Sequence, residues 1–234
     1  DPEVRTTRTP RMSIPHTKPS PLLPEQTNDA WITDIALRFL EERPKDKPFF
    51  TVCGFNGPHP PFMIPEPYYS MFDPADVPEP PNFLCAENEP ACKQRSFYRQ
   101  LWKDHGENWD AWKKSVAVYW GFCRLVDDQV GRLMRCLEDH GVFDNTLVIY
   151  CSDHGEMLGQ HGLWHKMQPY EEALRVPLLM RGPGVPAKVR SLANASLLDI
   201  APTILSAVGI ATPEEYEGRD LAAAYAFTDP GIDR

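Results

Sequence analysis

No stretch of this chain approaches the roughly 18 consecutive apolar residues that a membrane-spanning helix needs. Positive charge is scarce too: 24 Lys and Arg stand against 33 Asp and Glu, a net charge of −9. A nucleic-acid footprint requires clustered Lys and Arg, so nucleic acid is set aside as a partner. The six cysteines form no CxxC pair and no metal-ligand spacing. Cys53 and Cys151 fall in expected core strands and Cys123 and Cys136 on an expected helix, which makes buried free thiols the expectation. Cys85 and Cys92 are spaced to close a small loop disulfide in an oxidising compartment, or to remain two thiols. Internal repeats and low-complexity tracts are absent. There is no initiating Met, and the first five residues have no apolar signal-peptide core, so the expectation is a piece of a longer protein with its compartment left open.

What is present suffices for a core: 42% of the 234 residues are apolar and 11% aromatic, a balance disordered chains do not have. Residues 1–26, rich in Pro, Thr and basic side chains, are expected to form an irregular lead-in. NDAWITDIALRFLEER follows, with Trp31, Ile32, Ile35, Ala36, Phe39 and Leu40 at helical spacing and Asn28 or Asp29 as the cap. PFFTVCGF reads as a strand buried on both faces. Residues 57–95 carry a large share of the 25 prolines and suit neither regular helix nor central strand. A long amphipathic helix is expected from Trp109 to His140, closed by Gly141. TLVIYC (146–151) and VPLLM (176–180) read as two further buried strands, and SLLDIAPTILSAVG (196–209) as a helix with Pro202 near its first turn or at a kink. Helices alternate with strands, and no hairpin dipeptide joins the strands. That pattern predicts an α/β fold with a mostly parallel central sheet and flanking helices.

In such sheets ligands bind beyond the carboxyl ends of the strands. Two strands here run into histidine-bearing turns, one reaching Asn56, Gly57 and His59, the other Ser152, Asp153, His154 and Glu156. Asp153 and His154 offer a carboxylate oxygen and an imidazole nitrogen, a pair suited to a divalent ion. On spacing alone, an Asx turn followed by a surface histidine is an equal reading. His59 sits in the Pro-stiffened GPHPPF, where a fixed imidazole can protonate a leaving-group oxygen; a histidine packed under Pro60, Pro61 and Phe62 is the alternative. Lys166 gains interest only beside a bound anion, where an ammonium stabilises developing charge. His161 and His165 read as loop or supporting residues, and His16, His105 and His140 as surface.

Three blocks together resemble the sulfatase family of the alkaline phosphatase superfamily. They are KPFFTVCGFNGPHPPFMIPEPYYSMFDPADVPEPPNF (47–83), YCSDHGEMLGQHGLWHKMQPYEEALRVPLLMRGPGV (150–185) and SLLDIAPTILSAVG with EGRDL (196–221). The style is similar to choline-sulfatase-like and phosphonate-monoester-hydrolase-like members, in which His follows the metal-binding Asp. The resemblance implies that Asp153 and His154 are metal ligands. It also implies that Lys166 contacts the sulfate or phosphoryl oxygens, and that His59 hydrogen-bonds the ester and protonates its leaving group. One divalent cation is implied, Ca2+ foremost, with Mn2+ or Mg2+ as alternatives.

Members of the family also carry paired aspartates and a Cys-x-Pro-x-Arg or Ser-x-Pro-x-Arg motif, whose Cys or Ser becomes the formylglycine nucleophile. None of the six cysteines stands in that context, and neither does Ser13 or Ser20. The expectation is therefore a partial catalytic domain over 27–221 and the start of a C-terminal region over 222–234, inactive alone, with the formylglycine in a preceding segment. The implied substrate of the complete protein is a sulfate ester of a small molecule or saccharide. Phosphonate monoester or phosphodiester hydrolysis on the same scaffold is the first alternative, and a non-catalytic sulfatase-like module the second.

Overall fold

In the computed structural model, which describes residues 17–83, 108–191 and 193–222, the first helix, α1, spans Asn28–Glu42 and starts on Thr27. Thr27 has an extended backbone, and its hydroxyl accepts the Ala30 N–H at 3.3 Å, so the cap lies one residue before the expected pair. The buried face of α1 is Asp29, Ala30, Thr33, Ala36 and Leu40. Trp31, Ile35 and Phe39, expected in the buried stripe, are 62%, 45% and 41% exposed. Lys45 donates to the carbonyls of Leu40 and Glu41 at the helix end, where a cation also opposes the dipole.

The chain forms two compact units. The first comprises Asp1–Cys136 and Glu156–Ala173, the second Leu137–Gly155 and Leu174–Arg234.

In the first unit, β1 (Thr17–Pro19) pairs in parallel with β2 (Phe62–Ile64), Thr17 opposite Phe62 and Pro19 opposite Ile64. A strand therefore lies inside the region expected to be an irregular lead-in. Residues 48–55, expected to be a doubly buried strand, have no ladder partner among the described residues, and Phe50 and Val52 are exposed. An apolar run makes a buried strand only when neighbours take both its edges and its faces. The long helix, α2 (Asp110–Asp139), is where its periodicity places it. Its buried residues include Trp112, Val116, Ala117, Val118, Leu125 and Val126, whereas Cys123 faces outward. Around it lies an aromatic core. Trp112 meets Trp164 edge-on at 5.5 Å and Phe83 at 5.4 Å, and Phe62 meets Trp164 at 6.1 Å. These are favoured edge-to-face geometries.

In the second unit, the end of α2 closes as expected at Gly141, which has φ +65°. The Gly141 N–H reaches the Glu138 carbonyl and the Val142 N–H that of Leu137, the paired bonds of a Schellman motif. β3 (Val148–Cys151) pairs with β4 (Leu178–Arg181) in antiparallel register, Val148 opposite Arg181 and Cys151 opposite Leu178. Both strands are more exposed than expected: Cys151 is an exposed thiol, and Leu179 is 60% exposed. The residues between them form only short turns and a one-turn helix, α3 (Glu171–Leu174). An antiparallel pair needs no crossover helix, whereas a parallel one does. The last helix, α4 (Ile200–Ala207), holds Pro202 in its first turn, as expected. It follows a short 3-10 turn capped by Ser196 and Asp199. Asp199 also accepts the Arg219 N–H at 2.9 Å, and Thr203 accepts that of Leu221 at 2.9 Å, docking the EGRDL segment on this helix start.

Candidate active site

β3 ends at Cys151, and the chain turns through Ser152, Asp153, His154 and Gly155. The Ser152 hydroxyl donates to the His154 carbonyl at 2.7 Å, and the His154 N–H donates to Asp153 Oδ1 at 2.9 Å. His154 Nδ1 lies 2.8 Å from the Gly155 carbonyl. A carbonyl only accepts, so Nδ1 carries the proton and the Nε2 lone pair is available. That lone pair is 3.6 Å from Asp153 Oδ2, beyond hydrogen-bond range. Two adjacent ligands of one cation with bonds of about 2.3–2.6 Å lie about 3.3–3.7 Å apart. An imidazole whose other nitrogen donates to a backbone carbonyl is also the usual form of a metal-ligating histidine. Asp153 and His154 therefore fit two positions on a divalent ion. Among the described residues, no group of three or more His, Cys, Asp or Glu is placed to hold a metal.

The first unit carries the basic residues. Between Glu156 and Lys166 the chain makes a tight loop anchored by Met157, Leu163 and Trp164, each at most 2% exposed. The Met157 N–H donates to the His165 carbonyl at 3.0 Å, and the His165 N–H donates to Glu156 Oε1. Burial raises the Glu156 pKa; the N–H groups of His165, Leu158 and Met157 and the charge of Lys166 act against that rise. The Glu156 carboxylate thus gathers both ends of the loop. Gly159 is required within it. Its φ is +93°, and a Cβ there would sit 2.6 Å from Trp109 Cζ3.

His165 has φ +69°, a left-handed turn rarely taken by a residue with a side chain. It swings the chain from buried Trp164 to half-buried Lys166. The His165 pKa falls to about 4, first through burial, then through the positive charges of Lys166 and His59. His59, His165 and Lys166 therefore share one electropositive neighbourhood in which His165 is neutral. Read from the sequence, His165 is only a loop or supporting residue, because nothing in its spacing signals a left-handed backbone.

His59 is exposed on a turn closed by its own N–H donating to the Asn56 carbonyl at 3.0 Å. Its Nδ1 lies 2.7 Å from the Pro60 carbonyl, which leaves Nε2 as the working nitrogen. His161 is engaged elsewhere. It stacks on Tyr170 at 4.2 Å, and its Nε2 accepts from the Asn82 amide at 3.1 Å. His16, His105, Cys85 and Cys92 lie outside the described residues.

The sulfatase family model matches residues 3–210 of the chain. The chain belongs to the sulfatase family. An arylsulfatase of Clostridium perfringens is 33% identical to this sulfatase chain over 196 residues, covering 82% of the chain and 40% of the relative. The phosphonate monoester hydrolase of Silicibacter pomeroyi superposes with a TM-score of 0.76 at 30% identity, covering 96% of the chain and 48% of that structure. A protein solved with its substrate D-glucosamine-2-N,6-O-disulfate superposes with a TM-score of 0.76 at 26% identity, covering 88% of the chain and 53% of that structure. The sulfatase chain thus spans between 40% and 53% of these three proteins. Their fold is the α/β class expected from the sequence. Membership of the family implies a divalent metal and a formylglycine.

Proposed function

We propose that the protein carrying this chain hydrolyses a sulfate ester of a small molecule or saccharide, with Asp153 and His154 as two ligands of a divalent cation and His59 and Lys166 addressing the ester. The observation that carries this reading is the 3.6 Å separation of His154 Nε2 and Asp153 Oδ2, with Nδ1 already committed to the Gly155 carbonyl. Ca2+ is the proposed ion, with Mn2+ or Mg2+ as alternatives. When bound, it supplies positive charge to the ester oxygens. Lys166 offers an ammonium to the same developing negative charge, and the neutral His165 beside it can hydrogen-bond there without adding a third cation. His59, whose Nδ1 faces the Pro60 carbonyl, would donate a proton from Nε2 to the departing alkoxide.

The likeness to a phosphonate monoester hydrolase over 96% of the chain favours a second reaction on the same scaffold. Turnover of paired aryl sulfate and aryl phosphonate monoester substrates by the full-length protein separates the two. Faster turnover of the sulfate is the expected result. Faster turnover of the phosphonate would replace the sulfatase reading, and turnover of neither would leave a non-catalytic module.

A further inference from the structure

We propose that Asp29 is a positioning residue for His59, its carboxylate fixing from α1 the turn that carries the imidazole. Asp29 is 2% exposed. Its Oδ1 accepts two backbone N–H groups, from Asn56 at 2.8 Å and from Gly57 at 3.0 Å, across 27 and 28 residues of sequence. These are the first two residues of the turn that His59 closes by donating its N–H to the Asn56 carbonyl. On its other side the turn backs onto α2: a Cβ at Gly57 would come within 2.4 Å of Phe122 Cε2 and 2.9 Å of Val126 Cγ2. The turn is thus held between a helix wall and a carboxylate, with Pro58, Pro60 and Pro61 limiting the backbone around His59.

Helix capping does not account for this carboxylate, because Thr27 already caps α1. A buried carboxylate is costly unless hydrogen bonds compensate it. Here the compensating donors come from the His59 turn. Charge-assisted bonds from two adjacent N–H groups set the orientation of that peptide segment, and with it the direction of the His59 ring. Asp29 touches neither substrate nor metal in this scheme and acts through His59.

The inference rests on His59 serving as the proton donor, and its test separates the two ideas. In the full-length protein, Asp29→Ala is expected to speed amide exchange of Asn56 and Gly57 by roughly tenfold or more. It is also expected to shift the His59 imidazole 1H–15N signal. With an alkyl sulfate, a poor leaving group, kcat is expected to fall roughly tenfold or more while KM stays within about twofold. Asp29→Asn retains an oxygen acceptor and is expected to restore most of each readout. In a His59→Ala background, Asp29→Ala is expected to cost nothing further in kcat. An equal loss in that background would overturn the proposal, as would unchanged exchange and an unchanged imidazole signal. If His59→Ala alone leaves kcat intact, the proton-donor role fails, while exchange and imidazole signal still decide whether Asp29 orients the turn. If Asp29→Ala does not fold, Asp29→Ser carries the same readouts; a His59 signal identical to that of the native protein would overturn the proposal.

Discussion

His154 Nε2 and Asp153 Oδ2 lie 3.6 Å apart, beyond hydrogen-bond range and within the spacing of two adjacent ligands of one cation. Their other polar atoms are spoken for: His154 Nδ1 by the Gly155 carbonyl and Asp153 Oδ1 by the His154 N–H. His161, seven residues on, has its Nε2 on Asn82 and its ring on Tyr170. In the full-length protein, His154→Ala is therefore expected to weaken divalent-ion affinity at least about tenfold, and His161→Ala to leave it unchanged. Calorimetric titration with Ca2+ and Mn2+ checks this. Equal losses in the two variants would show that the wrong histidine has been assigned.

His165 makes the stability of the chain sensitive to acid. Its folded pKa is about 4 against an ordinary 6.5. As the pH falls, the unfolded state takes up the proton first, so stability that is full above about pH 6.5 declines toward pH 4. The ring is only partly buried, so solvent screening keeps the effect modest. Urea denaturation at pH 7 and pH 4.5 is expected to show a smaller loss in His165→Gln than in the native chain. An equal loss in both would place the acid sensitivity elsewhere.

Part of this was readable in the sequence. The periodicity from Trp109 to His140 is strong and local, and α2 with its Gly141 cap lies where that pattern puts it. Asp153 and His154 stood out because they end an apolar run. The role of Asp29 was not readable, because its partners at Asn56 and Gly57 are fixed by tertiary packing rather than by spacing. The outward turn of Trp31, Ile35 and Phe39 was hidden for a related reason. On α1 the face that goes inside is made by Asp29, by the small Ala30, Thr33 and Ala36, and by Leu40 as its one large apolar side chain, whereas hydrophobicity alone favours the large ones throughout. The left-handed His165 leaves no mark in composition either, although it bends the chain between Trp164 and Lys166.

Lys166 and His165 are coupled through charge, which allows the basic neighbourhood to be tested without turnover. Lys166→Met removes one of the two positive neighbours that depress the His165 pKa. The His165 titration, followed by imidazole NMR, is expected to move up from about 4 and to stop short of 6.5, because burial is the larger cause. With a sulfate ester as substrate of the full-length protein, the same variant is expected to lower kcat/KM by about 10²–10³. An unmoved His165 pKa would show that the two side chains do not share one electrostatic environment.

Gly159 tests whether the loop shape matters as much as the residues it carries. Its φ of +93° suits glycine, and a Cβ would strike Trp109 at 2.6 Å, within an indole that also meets Phe83 edge-on at 5.0 Å. Neither problem is relieved by a rotamer change at position 159, since alanine has none to change. Gly159→Ala is therefore expected to destabilise the fold by about 2–4 kcal/mol, combining left-handed strain with overpacking. Chemical denaturation gives that number. A parallel measurement at the more open Gly141, where φ is +65° and no atom lies within 4 Å of a Cβ, isolates the strain alone and is expected to give the smaller loss. If the two losses are equal, the Trp109 contact yields at no cost and the loop is held by its hydrogen bonds to Glu156 and His165 instead.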